Sequence, residues 1–374
     1  MVAGIRSIVR YLLVAVNVLM VAGMCACAYS CRLNSHDYPE CSYWGMLFPF
    51  FLCAVIFFMV LWLLLKRRYV LIGIAGMVVC ADAIRTFCPV NFHASVPDDA
   101  IKVLSYNVMG FGDHKGIEWK DNEVAQYIIN SGADIVCLQE GNNVDLRTLH
   151  QLFDSVYPYM AIDTIKISLN LITLSKTPII SGERIKYESK TNGSFAHKVV
   201  RNDDTICVIN NHFESYKLKS KDKDDYKTII RNIEKDIRTL ERAERDGDEE
   251  RYDSLISKIK AANYIRACQA DSVAKYIENS DAKYIICMGD FNAPSLSYTH
   301  YRLTRSLNDA YTRSGNGVGF SYNSSGMYFR IDNILVSENI KAYGARVDDF
   351  SKMSDHYPIY AWLRLKGSDS AKSK

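Results

Sequence analysis

The chain has 374 residues, 48% of them hydrophobic, with a formal net charge of +3. That length accommodates one sizeable domain and an appendage. The small net charge argues against a dedicated nucleic-acid binder, which carries a clear basic patch.

The first ninety residues are apolar in long runs. Tyr11–Tyr29 contains only one strongly polar residue, Asn17, and Trp44–Leu65 contains no charge. Both runs reach the ~18 residues expected of a membrane-spanning helix. Tyr69–Cys88 is a third candidate, interrupted by Asp82 and Arg85, which could reach the headgroups from a helix end. A cleaved leader would account for residues 1–30, but the second run and the basic Lys66-Arg67-Arg68 that closes it favour a helical hairpin. Arg6, Arg10 and Lys66-Arg67-Arg68 place the N-terminus and the second loop in the cytoplasm by the positive-inside rule. Three spans then put the rest of the chain outside the cytoplasm, and two would leave it inside. The expectation is a multi-pass protein of the cell membrane, in contact with the bilayer, with about three helices in residues 1–88 and an extracytoplasmic (periplasmic) remainder. Seven of the eleven cysteines lie at or before residue 88, and Cys31 and Cys41 share the outer loop, where a disulfide could form. Cys137, Cys207, Cys268 and Cys287 lack metal-site spacing and read as packing residues.

Residues 89–100 form a polar, proline-bearing linker. Strands are expected at Ile101–Tyr106, Asp134–Leu138, Lys166–Ser175, Gly193–Val200, Thr205–Asn210, Tyr284–Met288, Tyr328–Val336 and Pro358–Leu365, and helices at Glu118–Ser131 and Ala261–Ile277. Hairpins alternating with helical crossovers suggest an α+β domain, residues 101–367, of two packed mixed sheets with helices outside. Tyr226, Ile230, Ile233, Ile237 and Leu240 make a short heptad stripe, Arg245-Asp246-Gly247-Asp248 breaks it, and Tyr252, Leu255, Ile256, Ile259 and Ala262 resume a helical face. This predicts an inserted helical hairpin at about 216–260, whose thirteen basic and twelve acidic residues describe a solvated surface rather than a polyanion groove.

Polar, metal-capable residues recur at the ends of the apolar strands. Asn107 ends the first and Glu140 the second. A carboxylate and an amide there suit an oxygen-rich Mg²⁺ site. His212 ends a third. In Gly289-Asp290-Phe291-Asn292 an extended segment would aim Asp290 and Asn292 the same way, with Asp290 able to activate a water and Asn292 to hold a phosphoryl oxygen. Asp332 lies in an apolar strand and needs a partner, for which His356 of Ser354-Asp355-His356 is the candidate. His36, His93, His114, His150, His197 and His300 have no such setting and read as surface or locally bonded, so His300→Ala is expected to be near neutral.

Asn107, Gln139-Glu140, Asn211-His212, Gly289-Asp290-Phe291-Asn292, Asp332 and Ser354-Asp355-His356 occur in an order that resembles the endonuclease/exonuclease/phosphatase superfamily. This group includes pancreatic-type deoxyribonucleases, abasic-site endonucleases, neutral sphingomyelinases and inositol-polyphosphate 5-phosphatases. The resemblance covers roughly residues 100–367 and implies a four-layer αββα sandwich, here preceded by a small all-helical membrane anchor. It also implies metal ligation (Mg²⁺, or Mn²⁺) by Glu140 with Asn107 and Asp355, and catalysis by His212, Asp290, Asn292, Asp332 and His356. The substrate would be a phosphate ester, and nucleic acid is the alternative to a lipid headgroup or small ester. Met109 stands where the abasic-site branch carries an acidic residue, which counts against DNA repair. A non-enzymatic binding protein is the remaining alternative, and oligomeric state is open.

Overall fold

The computed structural model describes residues 2–112, 118–142, 144–166, 169–187, 189, 192–216, 248–324, 326–349 and 352–367. The heptad stripe Tyr226–Leu240 and His114 lie outside the described residues.

The N-terminal region is helical: α1 (Val2–Ser30), α2 (Phe48–Leu65), α3 (Val70–Val79) and α4 (Ala81–Phe87). Two helical stretches, Ile5–Ser30 and Pro39–Leu65, are long and apolar enough to cross a membrane. The third stretch, Tyr69–Cys88, is helical but bent, and it counts as a further span only if the bent pair is taken as one. The chain bends by 68° between α3 and α4. Asp82 and Arg85 both fall on α4, and the bend lets that charged piece turn away from the apolar axis. Two clusters pack the bundle, one around Phe58, Trp62 and Val70, the other around Met24, Cys27, Phe48, Cys80 and Ala83. Cys31 and Cys41 are free thiols rather than a disulfide.

Among the described residues fourteen strands follow, most of them in two six-stranded sheets. The first has the order β13 (Ile340–Val347), β14 (Ile359–Leu365), β1 (Ile101–Asn107), β2 (Ile135–Gln139), β4 (Leu169–Ser175), β3 (Tyr159–Lys166). The second runs β5 (Ile179–Arg184), β6 (Gly193–Arg201), β7 (Asp204–His212), β8 (Tyr284–Asp290), β12 (Asp332–Val336), β9 (Asn308–Asp309). β10 (Tyr322–Ser324) and β11 (Met327–Phe329) make a separate hairpin.

Each sheet contains one parallel pair, β1–β2 and β7–β8, and is otherwise antiparallel. A parallel pair requires a crossover. It is supplied by α5 (Glu123–Asn130) in the first sheet and α7 (Asp248–Glu278) in the second. Val103, Cys137, Val208, Ile286, Ile334 and Ala361 fill the space between the sheets. α5 and α6 (Leu146–Phe153) cover the outer face of the first sheet, and α7 and α8 (Tyr298–Thr304) that of the second. The result is the expected αββα sandwich.

Four expected boundaries change, the first being the helix expected at Glu118–Ser131, which begins only at Glu123. The face resumed at Tyr252 and the helix placed at Ala261–Ile277 are one 31-residue helix, α7. Tyr328–Val336 is split into β11 and β12, with Arg330 and Ile331 between them. Lys166 closes β3 rather than opening β4.

His197 and His300 are buried, not superficial, and each meets a carboxylate: Asp163 at 3.1 Å and Asp309 at 3.1 Å. Asp309 also accepts from the Tyr311 and Thr312 amides at the start of α9 (Ala310–Ser314) and lies 3.7 Å from Arg330. Burial would raise its carboxyl pKa, but the charge of Arg330 and the bond to His300 outweigh this and hold it well below the carboxylate range. A depressed pKa stabilises the fold above the unfolded value near 4, and the gain is lost as pH falls toward the folded value. Asp309→Asn is therefore expected to cost roughly 2–4 kcal/mol at pH 7, because Arg330 stays buried and uncompensated. The melting-temperature gap from the parent should narrow below about pH 4. An equal gap at pH 3 and pH 7 would refute the linkage. His300→Ala breaks the same network and is no neutral control.

Candidate active site

The strand register assembles the site. In β7–β8 His212 pairs with Asp290, in β8–β12 Asp290 pairs with Asp332, and in β1–β2 Asn107 pairs with Gln139, which precedes Glu140. All lie at strand ends where the two sheets meet, at the C-terminal ends of both parallel pairs.

Asp290 is the hub. It is buried, and its Oδ2 accepts from Asn107 Nδ2 at 3.0 Å and from Asn292 Nδ2 at 3.1 Å. His212 Nε2 and His356 Nε2 each stand 3.7 Å from the same oxygen. Asn107 Nδ2 also reaches Glu140 Oε1 at 3.2 Å, and His212 Nε2 lies 3.5 Å from that oxygen. His356 Nδ1 and Asp332 Oδ2 are 2.8 Å apart, so the buried Asp332 has the partner expected of it. Ser354 Oγ donates to the Asn107 carbonyl at 2.8 Å and accepts from the His356 amide, tying the last loop to the first strand.

Backbone conformation does part of the positioning. Gly289 has φ +142°, and a Cβ there would stand 2.0 Å from the Asn211 carbonyl oxygen. Only glycine lets β8 pass β7 so closely. Asn292 does not follow Asp290 in extended conformation, as expected, but turns at φ +48°. It faces Asp290 because the Phe213 carbonyl and Asp290 both take its amide. Glu140 is also left-handed, at φ +54°, which swings its carboxylate off the strand.

Burial pushes the Asp290 carboxyl up to about 6, with the charge of Asp332 adding to the rise and His356, His212 and Asn107 opposing it. For His356, burial pulls downward, but the Asp332 and Asp290 charges prevail and raise its pKa well above the ordinary imidazole value. The site thus holds an imidazolium donor beside a carboxylate able to take a proton near neutrality.

Asp290, Asp332 and His356 present ligand atoms within 4.8 Å of one another. We read this trio as an ion-paired group, because His356 Nδ1 is committed to Asp332 and the ring is held protonated. Glu140, the least buried acid of the cluster, offers its carboxylate as a ligand beside Asn107, which turns its Nδ2 to Glu140 and Asp290 while its Oδ1 accepts from the Met109 amide. That donor set suits a hard divalent cation. Among the described residues, Asp332 Oδ1, His212 Nδ1, Gln139 Oε1 and Asn211 Oδ1 are buried without a partner, and such atoms call for a ligand or water. When bound, the metal would neutralise charge on a phosphoryl group. The carboxylate of Asp355 makes no hydrogen bond or ion pair to the cluster among the described residues. It acts on His356 through its charge, and its carbonyl accepts from the Asn323 amide.

Two supporting residues went unrecognised in the sequence. Ser321 Oγ accepts from the amides of Ile331 and Asp332, and the Tyr322 ring stands edge-on to His356 at 5.1 Å. Neither carries a local signal. Asn210 was detectable as a polar residue in an apolar strand. It bridges the sheets, accepting from Gln139 Nε2 at 2.8 Å and donating to the Leu138 and Ile172 carbonyls.

The model of the endonuclease/exonuclease/phosphatase family matches residues 104–356, and a domain of unknown function matches residues 10–87. The chain belongs to the endonuclease/exonuclease/phosphatase family, whose members are metal-dependent phosphoesterases and nucleases, and it is an enzyme of that kind. Truncated TDP2 from Caenorhabditis elegans is similar in structure, with TM-score 0.51 and 16% identity over 72% of this chain and 99% of that one. An endonuclease/exonuclease/phosphatase from Beutenbergia cavernae gives TM-score 0.50 and 13% identity over 72% of each chain. Identities this low establish a shared fold alone. No curated protein matches the sequence.

Proposed function

We propose that this enzyme is a membrane-anchored, Mg²⁺-dependent phosphoesterase that hydrolyses a lipid headgroup or another small phosphate ester outside the cytoplasm. Asp290 would position or activate the attacking water. Asn292, His212 and the Asp332-paired His356 would hold the phosphoryl oxygens and donate to the charge developing on them. Glu140 and Asn107 would hold the metal, with Asp355 contributing through its charge.

The carrying observation is that the helical region packs against the segments that bear the site. Gly45, between α1 and α2, approaches the Leu296 carbonyl so closely that a Cβ would lie 1.8 Å away, and Leu296 is four residues past Asn292. At the end of α4 the Thr86 carbonyl accepts from Arg330, two residues before Asp332. Pro89 and Asn91 bond to residues 312–317. Exposed Phe92, Phe320 and Tyr328 border a common groove there, and aromatic residues favour the bilayer interface.

These contacts come from residues 40–47 and 85–91, at the bundle end opposite Lys66-Arg67-Arg68. With the basic loop inside, the catalytic domain lies outside. Protease added to intact spheroplasts should therefore remove the domain, whereas protection until lysis would put it in the cytoplasm. For substrate class, a matched panel with Mg²⁺ should show faster turnover of sphingomyelin, phosphoinositides or a chromogenic diester than of plasmid DNA or RNA. Duplex binding needs many phosphate contacts, which the mixed charge does not offer. Rapid DNA degradation without ester turnover would make this a tethered nuclease instead.

A further inference from the structure

Arg266 is wholly buried in α7. Leaving buried guanidinium donors unpaired is costly, and of the three Arg266 side-chain nitrogens only Nε lacks a partner among the described residues. Its Nη1 donates to the Glu214 carbonyl at 2.6 Å, its Nη2 donates to Asn263 Oδ1 one turn earlier, and the Tyr216 ring lies 4.0 Å from the guanidinium carbon. Glu214 and Tyr216 belong to the segment that continues β7 past His212. The same segment faces the site on its other side: the Phe213 amide donates to the Asp290 carbonyl, and the Phe213 carbonyl accepts from Asn292 Nδ2 at 3.0 Å. A second bond from α7, Glu214 amide to Gln269 Oε1 at 2.9 Å, closes the brace.

The other end of the brace is in the anchor. Asn263 Nδ2 donates to the Ser42 carbonyl at 3.2 Å and to Ser42 Oγ at 3.0 Å. Lys260 pairs with Glu40, and the His36 ring stacks on Tyr264 with centroids 4.7 Å apart. His36, Glu40 and Ser42 all lie in the loop between α1 and α2. A continuous set of contacts therefore runs from that loop through Asn263 and Arg266 to the peptide groups beside His212 and Asn292.

We propose that Arg266 and Asn263 are positioning residues for the reaction, fixing His212 and the Asn292 amide against the phosphate, with Ser42 of the membrane anchor as their outer support. The proposal rests on the reading above of His212 and Asn292 as phosphate-facing groups. Arg266 and Asn263 act through the 213–214 peptides and are not themselves part of the Asp290 cluster. Displacements of about 1 Å at such groups are enough to slow a reaction roughly a hundredfold.

The test uses the full chain in lipid nanodiscs, bis(4-nitrophenyl) phosphate and Mg²⁺. Arg266→Lys keeps the charge but cannot serve Glu214 and Asn263 together. It should lower kcat about 10- to 100-fold with KM changed less than about threefold, and Arg266→Met should be worse. Asn263→Ala should lower kcat about 3- to 10-fold, again without a matching change in KM. Amide exchange in residues 212–216 should accelerate in both. Arg302→Ala, which removes ion pairs to Asp271 and Glu278 on the far part of α7, should lower the melting temperature without touching kcat. Wild-type kcat in Arg266→Lys and Asn263→Ala, or losses that only track the unfolded fraction, would overturn the proposal. Should Arg266→Lys fail to fold, Asn263→Ala decides. If the parent enzyme turns over no phosphate ester, the reading of the site has failed, and unchanged exchange at 212–216 in Asn263→Ala would separately reject the brace.

Discussion

Asp290→Asn, Glu140→Ala and His356→Ala should each lower turnover on a phosphate ester by at least about a hundredfold, the loss expected for groups that act on the transition state. The three fail for different reasons. Asp290→Asn preserves volume and one acceptor oxygen, so the Asn107 bond at 3.0 Å can survive while the proton acceptor is gone. Glu140→Ala would remove the accessible carboxylate proposed to hold the metal. His356→Ala deletes the imidazolium donor and strands Asp332, fully buried, without its 2.8 Å partner. That last change also costs stability, on the order of 3 kcal/mol, so its melting temperature must be measured and the assay run well below it. Normal turnover in folded His356→Ala protein would dismantle the site as assigned.

Removal of divalent metal should be as severe. In EDTA the enzyme should lose at least two orders of magnitude of activity, roughly 3 kcal/mol of transition-state stabilisation, and Mg²⁺ or Mn²⁺ should restore it. The expectation rests on the carboxylate oxygens of Glu140 and of Asp290, which share the Asn107 amide group and are hard donors suited to Mg²⁺ or Mn²⁺. His212 Nε2 is 3.5 Å from Glu140 and 3.7 Å from Asp290, beside the same carboxylates. Activity indifferent to both EDTA and Mg²⁺ would remove the metal from the mechanism.

The eight central strands of the two sheets left a sequence signal, and the four edge strands did not. β1, β2, β7, β8 and β12 are buried on both faces or nearly so, and such strands read as unbroken apolar runs. β3, β5, β9 and β13 are the sheet edges. β5 is exposed along almost its whole length, and β13 alternates irregularly across a register shift at Tyr343–Arg346. Their pairing comes from the neighbouring strand rather than from their own composition. The same logic divides the site. Asp290, Asp332, His212 and Asn107 end buried strands and stand out against apolar neighbours. Arg266 sits in a long charged helix and Ser321 in a loop, where one more polar residue carries no information. The bend after Val79 was hidden for a similar reason, since composition alone does not distinguish a straight span from a broken one.

Strand β14 has a consequence for how the enzyme is made. It lies between β13 and β1, pairing Ile101 with Leu363 across most of the domain's length, and His356 stands just ahead of it. Until residues 356–365 are synthesised, β1 has an open edge and the candidate site lacks His356. Pairings so distant in sequence close late and slowly. A nascent chain that has not reached His356 therefore lacks part of the candidate site, which is completed together with the first sheet.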